Sequence, residues 1–235
     1  MNTNPGISTL LKGNPYPGRG IAVGLGADGR AATFAYFIMG RSANSRNRVL
    51  CRVGDSLFTK PYDESKVEDP SLIIYRAARW TDGGVIVTNG DQTDTVYEGA
   101  KRGIGIADAL RTRTYEPDAP NYTPRISAML RSADGAFDYS MSILRRDETG
   151  DCERAFYDYA ACAGVGHLVH TYQTDGNPLP SFVGAPRTFA MPDGARALAD
   201  EIWQALDENN KIALYVACID LSDGSVDDVL YNKYE

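Results

Sequence analysis

Three polar segments carry the residue types that could do chemistry. The first is Met39-Gly40-Arg41-Ser42-Ala43-Asn44-Ser45-Arg46-Asn47-Arg48, with Arg52 close behind. A guanidinium offers a planar fork of donors that matches a phosphate, and hydroxyls and amides can complete the cage. This is the densest arginine cluster in the chain. It reads as a phosphate site or, equally, as a solvated polar loop. The second segment is Val85-Ile86-Val87-Thr88-Asn89-Gly90-Asp91-Gln92-Thr93-Asp94. A buried-type strand ends there in a Gly-containing turn leading to a helix, where a rigid scaffold can hold a ligand. Asn89 could donate to a developing oxyanion, and Asp94 could act as a base or orient one. The plainer reading makes Asp91 or Thr93 a helix cap, and the two readings are compatible. The third segment is Tyr115-Glu116-Pro117-Asp118-Ala119-Pro120-Asn121-Tyr122-Thr123-Pro124-Arg125. Its prolines restrict the chain, and Tyr122, Thr123 and Arg125 bring donors to the start of a strand. It suits ligand binding or a structural connector.

The elements that must position these segments are mostly strands. Ile21 to Leu25 and Ala31 to Met39 flank Ala27-Asp28-Gly29, a hairpin signal. Further strands are expected at Val49 to Val53, Leu72 to Tyr75, Val85 to Val87, Ile126 to Arg131 and Phe137 to Leu144, the last two around Asp134-Gly135. Weaker candidates are Phe156 to Ala160 and His167 to Tyr172, and Ile212 to Ile219 reads as a buried strand. Helical patterns cover Thr93 to Lys101, Ile104 to Arg113 and Asp193 to Leu206, with Asp193 as N-cap of the last. Residues 1–17 read as an arm or loop and 220–235 as a peripheral acidic tail. No linker divides the chain, so 1–235 reads as one domain. Strand pairs with helices grouped in the middle and near the end predict an α+β fold of mainly antiparallel sheets covered by helices.

Several other signals carry less. Gly24-Leu25-Gly26-Ala27-Asp28-Gly29 spells GxGxxG, but a dinucleotide site needs a helix after it, and Ala31 to Phe37 is strand-like. His167 and His170 would face opposite sides of a strand, and no carboxylate is placed to complete a metal set. Cys51 lies between Arg48 and Arg52, which could activate it, yet a strand cysteine is more often inert. No GxSxG elbow is present.

The formal net charge of -7 argues against a general nucleic-acid binder, though not against a small anionic ligand held by a local basic cluster. None of the four cysteines forms a CxxC pair. The N-terminus has no signal-peptide pattern and no apolar run is long enough to span a bilayer. A cytoplasmic location follows as the expectation.

Together the three segments, preceded by Gly18-Arg19-Gly20, resemble the archaeal-type IMP cyclohydrolase family. The matching residues are Gly40-Arg41-Ser42 to Asn47-Arg48, Thr88-Asn89-Gly90 with Thr93-Asp94, and Asn121-Tyr122-Thr123-Pro124-Arg125-Ile126, in the family's order. The chain departs from the pattern in its arm, Met1 to Pro17, and in Gln92, where the family carries His. The resemblance implies a four-layer α/β/β/α sandwich like that of N-terminal-nucleophile hydrolases, without self-processing. It implies dehydrative ring closure of 5-formamidoimidazole-4-carboxamide ribonucleotide to inosine monophosphate, with no metal and no cofactor. Arg41, Ser42, Arg46, Asn47 and Arg48 would hold the phosphate, with Thr123 also in the substrate site. Asn89 and Arg125 would face the reacting groups, and Tyr75, Tyr122 or Asp94 would handle protons. The partner would be a small purine ribonucleotide, with no nucleic acid and no membrane; a homo-oligomer is compatible with this. Two alternatives stand beside it: a purine-nucleotide-binding regulatory module without turnover, and an amide hydrolase on the same fold with Cys51 as nucleophile.

Overall fold

Alternating and continuous apolar runs dominate the chain, and the computed structural model sorts them into two antiparallel sheets; it describes residues 4–67, 70, 74–133 and 135–234. The elements are α1 (Ile7–Leu11), β1 (Arg19–Leu25), β2 (Ala31–Met39), α2 (Ala43–Arg46), β3 (Val49–Val53), β4 (Ser56–Lys60), β5 (Arg76–Thr81) and β6 (Gly84–Thr88). They continue with α3 (Gln92–Ala100), α4 (Ile106–Ala109), β7 (Arg125–Ala133), β8 (Ala136–Arg146), β9 (Cys152–Ala160) and β10 (Val165–His170). The last are β11 (Arg187–Ala190), α5 (Ala195–Ala205), β12 (Lys211–Asp220) and β13 (Val226–Asn232). One sheet runs β11-β10-β1-β2-β12-β13. The other is a meander in chain order, β3 to β9.

The two sheets face each other across one core. Ile21, Val23, Phe34, Tyr36, Ile38 and Tyr215 from the first sheet meet Val85, Val87, Ile126, Ala128, Tyr139 and Met141 from the second. The opposite faces are covered by helices. Ala35, Phe37, Leu214 and Val216 pack beneath α1 and α5 through Ile7, Leu11, Leu198 and Ile202. Ile86 and Leu144 pack beneath α3 and α4 through Val96 and Ile106. The order of layers is therefore helix, sheet, sheet, helix. β2 and β12 are buried on both faces, which is why their sequences are continuous apolar runs rather than alternating ones. Truncating a fully buried contact such as Leu198 to Ala should cost about 2–5 kcal/mol.

The hairpin expected at residues 21–39 forms, with Leu25 opposite Ala32, so the GxGxxG glycines serve a turn into a strand. β7 and β8 form the second expected hairpin, closing at Ala133 and Ala136; Asp134 lies outside the described residues. Other expectations need correction. The arm is not all loop: α1 buries Ile7 and Leu11 completely, because an amphipathic turn can dock on α5 despite the flanking Gly and Pro. The tail is not peripheral, since β13 pairs along β12 from Ile219 to Ala213. Asp193 does not cap α5. Gly194 holds that position, and the Asp193 carboxylate instead accepts from the Asp28 amide at 3.2 Å. The strand expected at 72–75 falls partly outside the described residues, and Tyr75 precedes β5. β4 and β11 escaped sequence reading, being short and carrying polar residues.

Candidate active site

Residues from the ends of both sheets line a cavity of about 520 Å³, within the usual range for a small-molecule site. One wall is the loop after β2. Gly40 permits its tight fold, because a Cβ there would lie 2.6 Å from the Ser45 carbonyl oxygen. Ser42 caps the single turn α2 by accepting from the Ser45 amide, and the Ser45 hydroxyl accepts in return from the Ser42 amide. This turn presents Arg41, Ser42, Asn44, Ser45 and Arg48 to the cavity. Arg48 is almost fully buried and donates from Nε to the Ser45 carbonyl at 2.8 Å. Arg41 pairs with Asp175, donates to the Gly176 carbonyl at 2.8 Å and lies over the Tyr16 ring.

Arg19, at the start of β1, adds a third guanidinium. Among the described residues neither Arg19 nor Arg48 forms an ion pair, and Arg19 Nε is buried without a hydrogen-bond partner. Tyr16, Tyr36, Tyr75 and Tyr172 surround Arg19 within electrostatic reach. Tyr75 is fixed through its backbone to Thr59 of β4, its amide donating to Thr59 Oγ1 at 3.1 Å. Its hydroxyl lies 2.7 Å from that of Tyr36. Burial raises the Tyr36 phenol well above its ordinary range, Tyr75 adds to this, and Arg19 and Arg48 oppose it.

The opposite wall is acidic. It consists of Asn89, Gly90 and Asp91 from the turn after β6, with Glu116, Asp118 and Asn121 from the proline loop. Arg125 sits behind it and binds it together. Its Nη1 lies 2.6 Å from Asp91, 2.7 Å from Gln92 Oε1 and 2.8 Å from Glu116. Gly90 makes this junction possible, because a Cβ would come within 2.8 Å of Arg125, Glu116 and Gln92 together. Burial raises the Glu116 carboxyl above its ordinary range, while Arg125 and Arg19 pull it back. For Asp91 burial also pushes upward, but Arg113 and Arg125 together outweigh it and the net shift is downward. Asp118 accepts from the Thr123 amide at 2.6 Å and from the Thr123 hydroxyl.

The structure thus brings Arg41, Ser42, Arg48, Tyr75 and Asn89 to one cavity, and sets the other expected site residues apart from it. Arg46 donates to the Gly40 carbonyl and to Asn210, and Asn47 is bonded twice to the Asp63 backbone; both brace the loop. Asp94 is exposed and paired with Arg76 and Arg79. Thr123 is buried behind the wall, bonded to Asp118 and the Tyr172 hydroxyl. Tyr122 adopts φ +44°, a left-handed conformation costly for a non-glycine residue. Its ring packs instead against Tyr115 and Arg146. Neither expected helix cap operates as such: Asp91 occupies the cap position of α3 without a side-chain cap bond. Thr93 bonds to Thr88 and to the Arg76 carbonyl. Gln92 links the second and third segments, donating to Asn89 Oδ1 at 2.9 Å and accepting from Arg125. Asn89 in turn accepts from the Ile126 amide and donates to the Pro124 carbonyl.

Sequence reading did not single out Arg19, Tyr36, Glu116, Asp118 or Tyr172 as site residues. Arg19 and Glu116 lie inside segments marked as polar or family-like. Tyr36, on β2, joins the site through the Tyr75 hydroxyl, and Tyr172, just after β10, through Tyr16 and Thr123. Cys51 is half-buried on β3 and is not part of the lining. His167 and His170 share β10, and among the described residues no three His, Cys, Asp or Glu side chains gather as a metal set. No described helix is long and apolar enough to cross a membrane.

Comparison with known proteins gives the family. A protein named IMP cyclohydrolase from Methanothrix thermoacetophila is 29% identical over 174 residues, covering 72% of this chain and 80% of the relative. Relatives of the same name from Methanopyrus kandleri and Methanococcus aeolicus are 34% and 31% identical, over 48% and 49% of this chain and 57% and 58% of their own lengths. The family model described as IMP cyclohydrolase-like protein matches residues 16–224, which include every residue of the cavity, and the chain belongs to that family.

Proposed function

We propose that the cavity binds 5-formamidoimidazole-4-carboxamide ribonucleotide and closes it to inosine monophosphate with loss of water. The observation that carries this reading is the buried Arg48 and the part-buried Arg19, neither in an ion pair among the described residues, in one cavity with a raised carboxyl at Glu116. A buried guanidinium without an anion is costly unless a ligand supplies one. The names of the three relatives support the same substrate.

In this reading Arg48, with Ser42, Asn44 and Ser45, holds the phosphate. Arg19 stands between the walls and stabilises the charge developing on the formyl oxygen, as a preaimed donor does. Nucleophile and electrophile share one molecule, so the protein gains mainly by holding the reactive rotamer. The carboxamide nitrogen bonds to the formyl carbon. One of its protons leaves to Glu116, and the formyl oxygen takes a proton from Tyr75, giving a carbinolamine. The hydroxyl on that carbon then departs as water with the proton that Glu116 took up. The former formamide nitrogen gives its proton back to Tyr75 as the ring double bond forms, so both side chains return to their starting states. The oxidation level does not change, so the step needs no electron acceptor. A carboxyl raised toward the working pH suits the proton transfers.

Incubating the protein with the formamido ribonucleotide and following the purine absorbance tests the reading. Turnover is expected. Saturable binding without turnover would replace it with a nucleotide-binding module, and cleavage of the amide would replace it with a hydrolase.

A further inference from the structure

We infer that Tyr36 is a positioning residue that aims the Tyr75 hydroxyl proton into the cavity; this rests on the proton role proposed for Tyr75. The two hydroxyl oxygens are 2.7 Å apart. Tyr36 is fully buried on β2, and its hydroxyl meets no other hydrogen-bond partner among the described residues. Tyr75 lines the cavity. A phenol has one proton to give and can accept in return. If Tyr75 donated to Tyr36, the Tyr36 proton would be left buried and unbonded, at the cost of an unsatisfied donor. If Tyr36 donates, every group is satisfied and the Tyr75 proton is free to point at a ligand. The second arrangement wins by about the desolvation cost of one hydroxyl.

A donor fixed on the Tyr75 oxygen also holds that hydroxyl in one orientation, with its proton turned away from Tyr36. The charged and titratable groups around the pair are Arg19 from β1 and Arg48 from the loop before β3, with Tyr16, Tyr172 and Glu116 within the field of Arg19. All of these remain in the Tyr36→Phe variant, which removes only the donor. Tyr36→Phe should therefore lower kcat by about tenfold with KM little changed, the equivalent of losing one hydrogen bond that acts in the transition state. A fluorotyrosine introduced at position 75 and followed by fluorine NMR should give a single sharp signal with Tyr36 present and a shifted, broadened one in the Tyr36→Phe background. This second reading requires no turnover, so it tests the role of Tyr36 even if the proposed reaction fails. In the pair of variants, adding Tyr36→Phe to Tyr75→Phe should cost no further activity. An unchanged fluorine signal at position 75 in a folded Tyr36→Phe protein, or losses in kcat that simply multiply in the double variant, would overturn the inference.

Discussion

The two walls of the cavity are oppositely built. On the basic wall Arg19 and Arg48 have no carboxylate partner among the described residues, and only Arg41 is matched, by Asp175. On the acidic wall every carboxylate is satisfied: Asp91 by Arg113 and Arg125, Glu116 by Arg125, and Asp118 by Thr123. Where a buried ion is paired, removing one partner harms the fold. An unpaired buried cation destabilises the free protein and is tolerated where a ligand completes it. In the proposed reading Arg48 and its loop take the substrate's phosphate, while Arg19 and Glu116 meet the reacting groups.

Replacing residues on the two walls should therefore give different signatures. The largest effect is expected from Arg19→Met, which should lower kcat/KM by about a thousandfold, at the upper end for loss of one oxyanion donor. The same change should stabilise the ligand-free protein by about 1 kcal/mol, because it removes a part-buried guanidinium that has no carboxylate partner among the described residues; thermal unfolding checks this. A variant that loses both activity and stability would place Arg19 among the scaffold. Glu116→Gln should lower kcat by about a hundredfold and remove the acid limb of the pH profile. The sign follows from the raised carboxyl: a base must be ionised, so activity falls as pH drops through a value above the ordinary carboxylate range. The same raised value means the folded protein binds a proton more readily than the unfolded chain. Its contribution to stability is therefore present at low pH and lost as pH rises through that window. Arg41→Ala should weaken nucleotide binding by less than about 1 kcal/mol, since Arg41 is half-exposed and already paired. Asp94→Asn, outside the cavity, should leave kcat unchanged and stability within about 0.5 kcal/mol.

Much of the basic wall could be read in the sequence because one short loop supplies it: Arg41, Ser42 and Arg48 lie within a single tight turn. Arg46 and Asn47 belong to the same run, yet their side chains turn back onto Gly40 and Asp63. Composition marks such a loop without saying which of its arginines points inward. The acidic wall is assembled from two segments joined through Arg125 and Gln92, so residue types alone placed Arg125 at the substrate when it braces the carboxylates from behind. Tyr122 has a left-handed backbone, invisible in the sequence, and its ring packs on Tyr115 and Arg146. Tyr36 and Tyr172 were illegible for a different reason: each sits in or beside a strand whose composition reads as core. The hairpins were readable from Asp-Gly between apolar runs. β13 was not, because Asp227 and Asp228 on an edge strand look like tail.

The division between the walls is tested most directly by measuring how tightly the wild type and Arg48→Ala bind inosine monophosphate and inosine, which differ only in the phosphate. The wild type should favour the nucleotide, and Arg48→Ala should lose about 2–4 kcal/mol of that preference while binding inosine nearly as before. Equal affinity of the wild type for the two ligands, or an undiminished preference in the variant, would contradict the assignment of the phosphate to the basic wall.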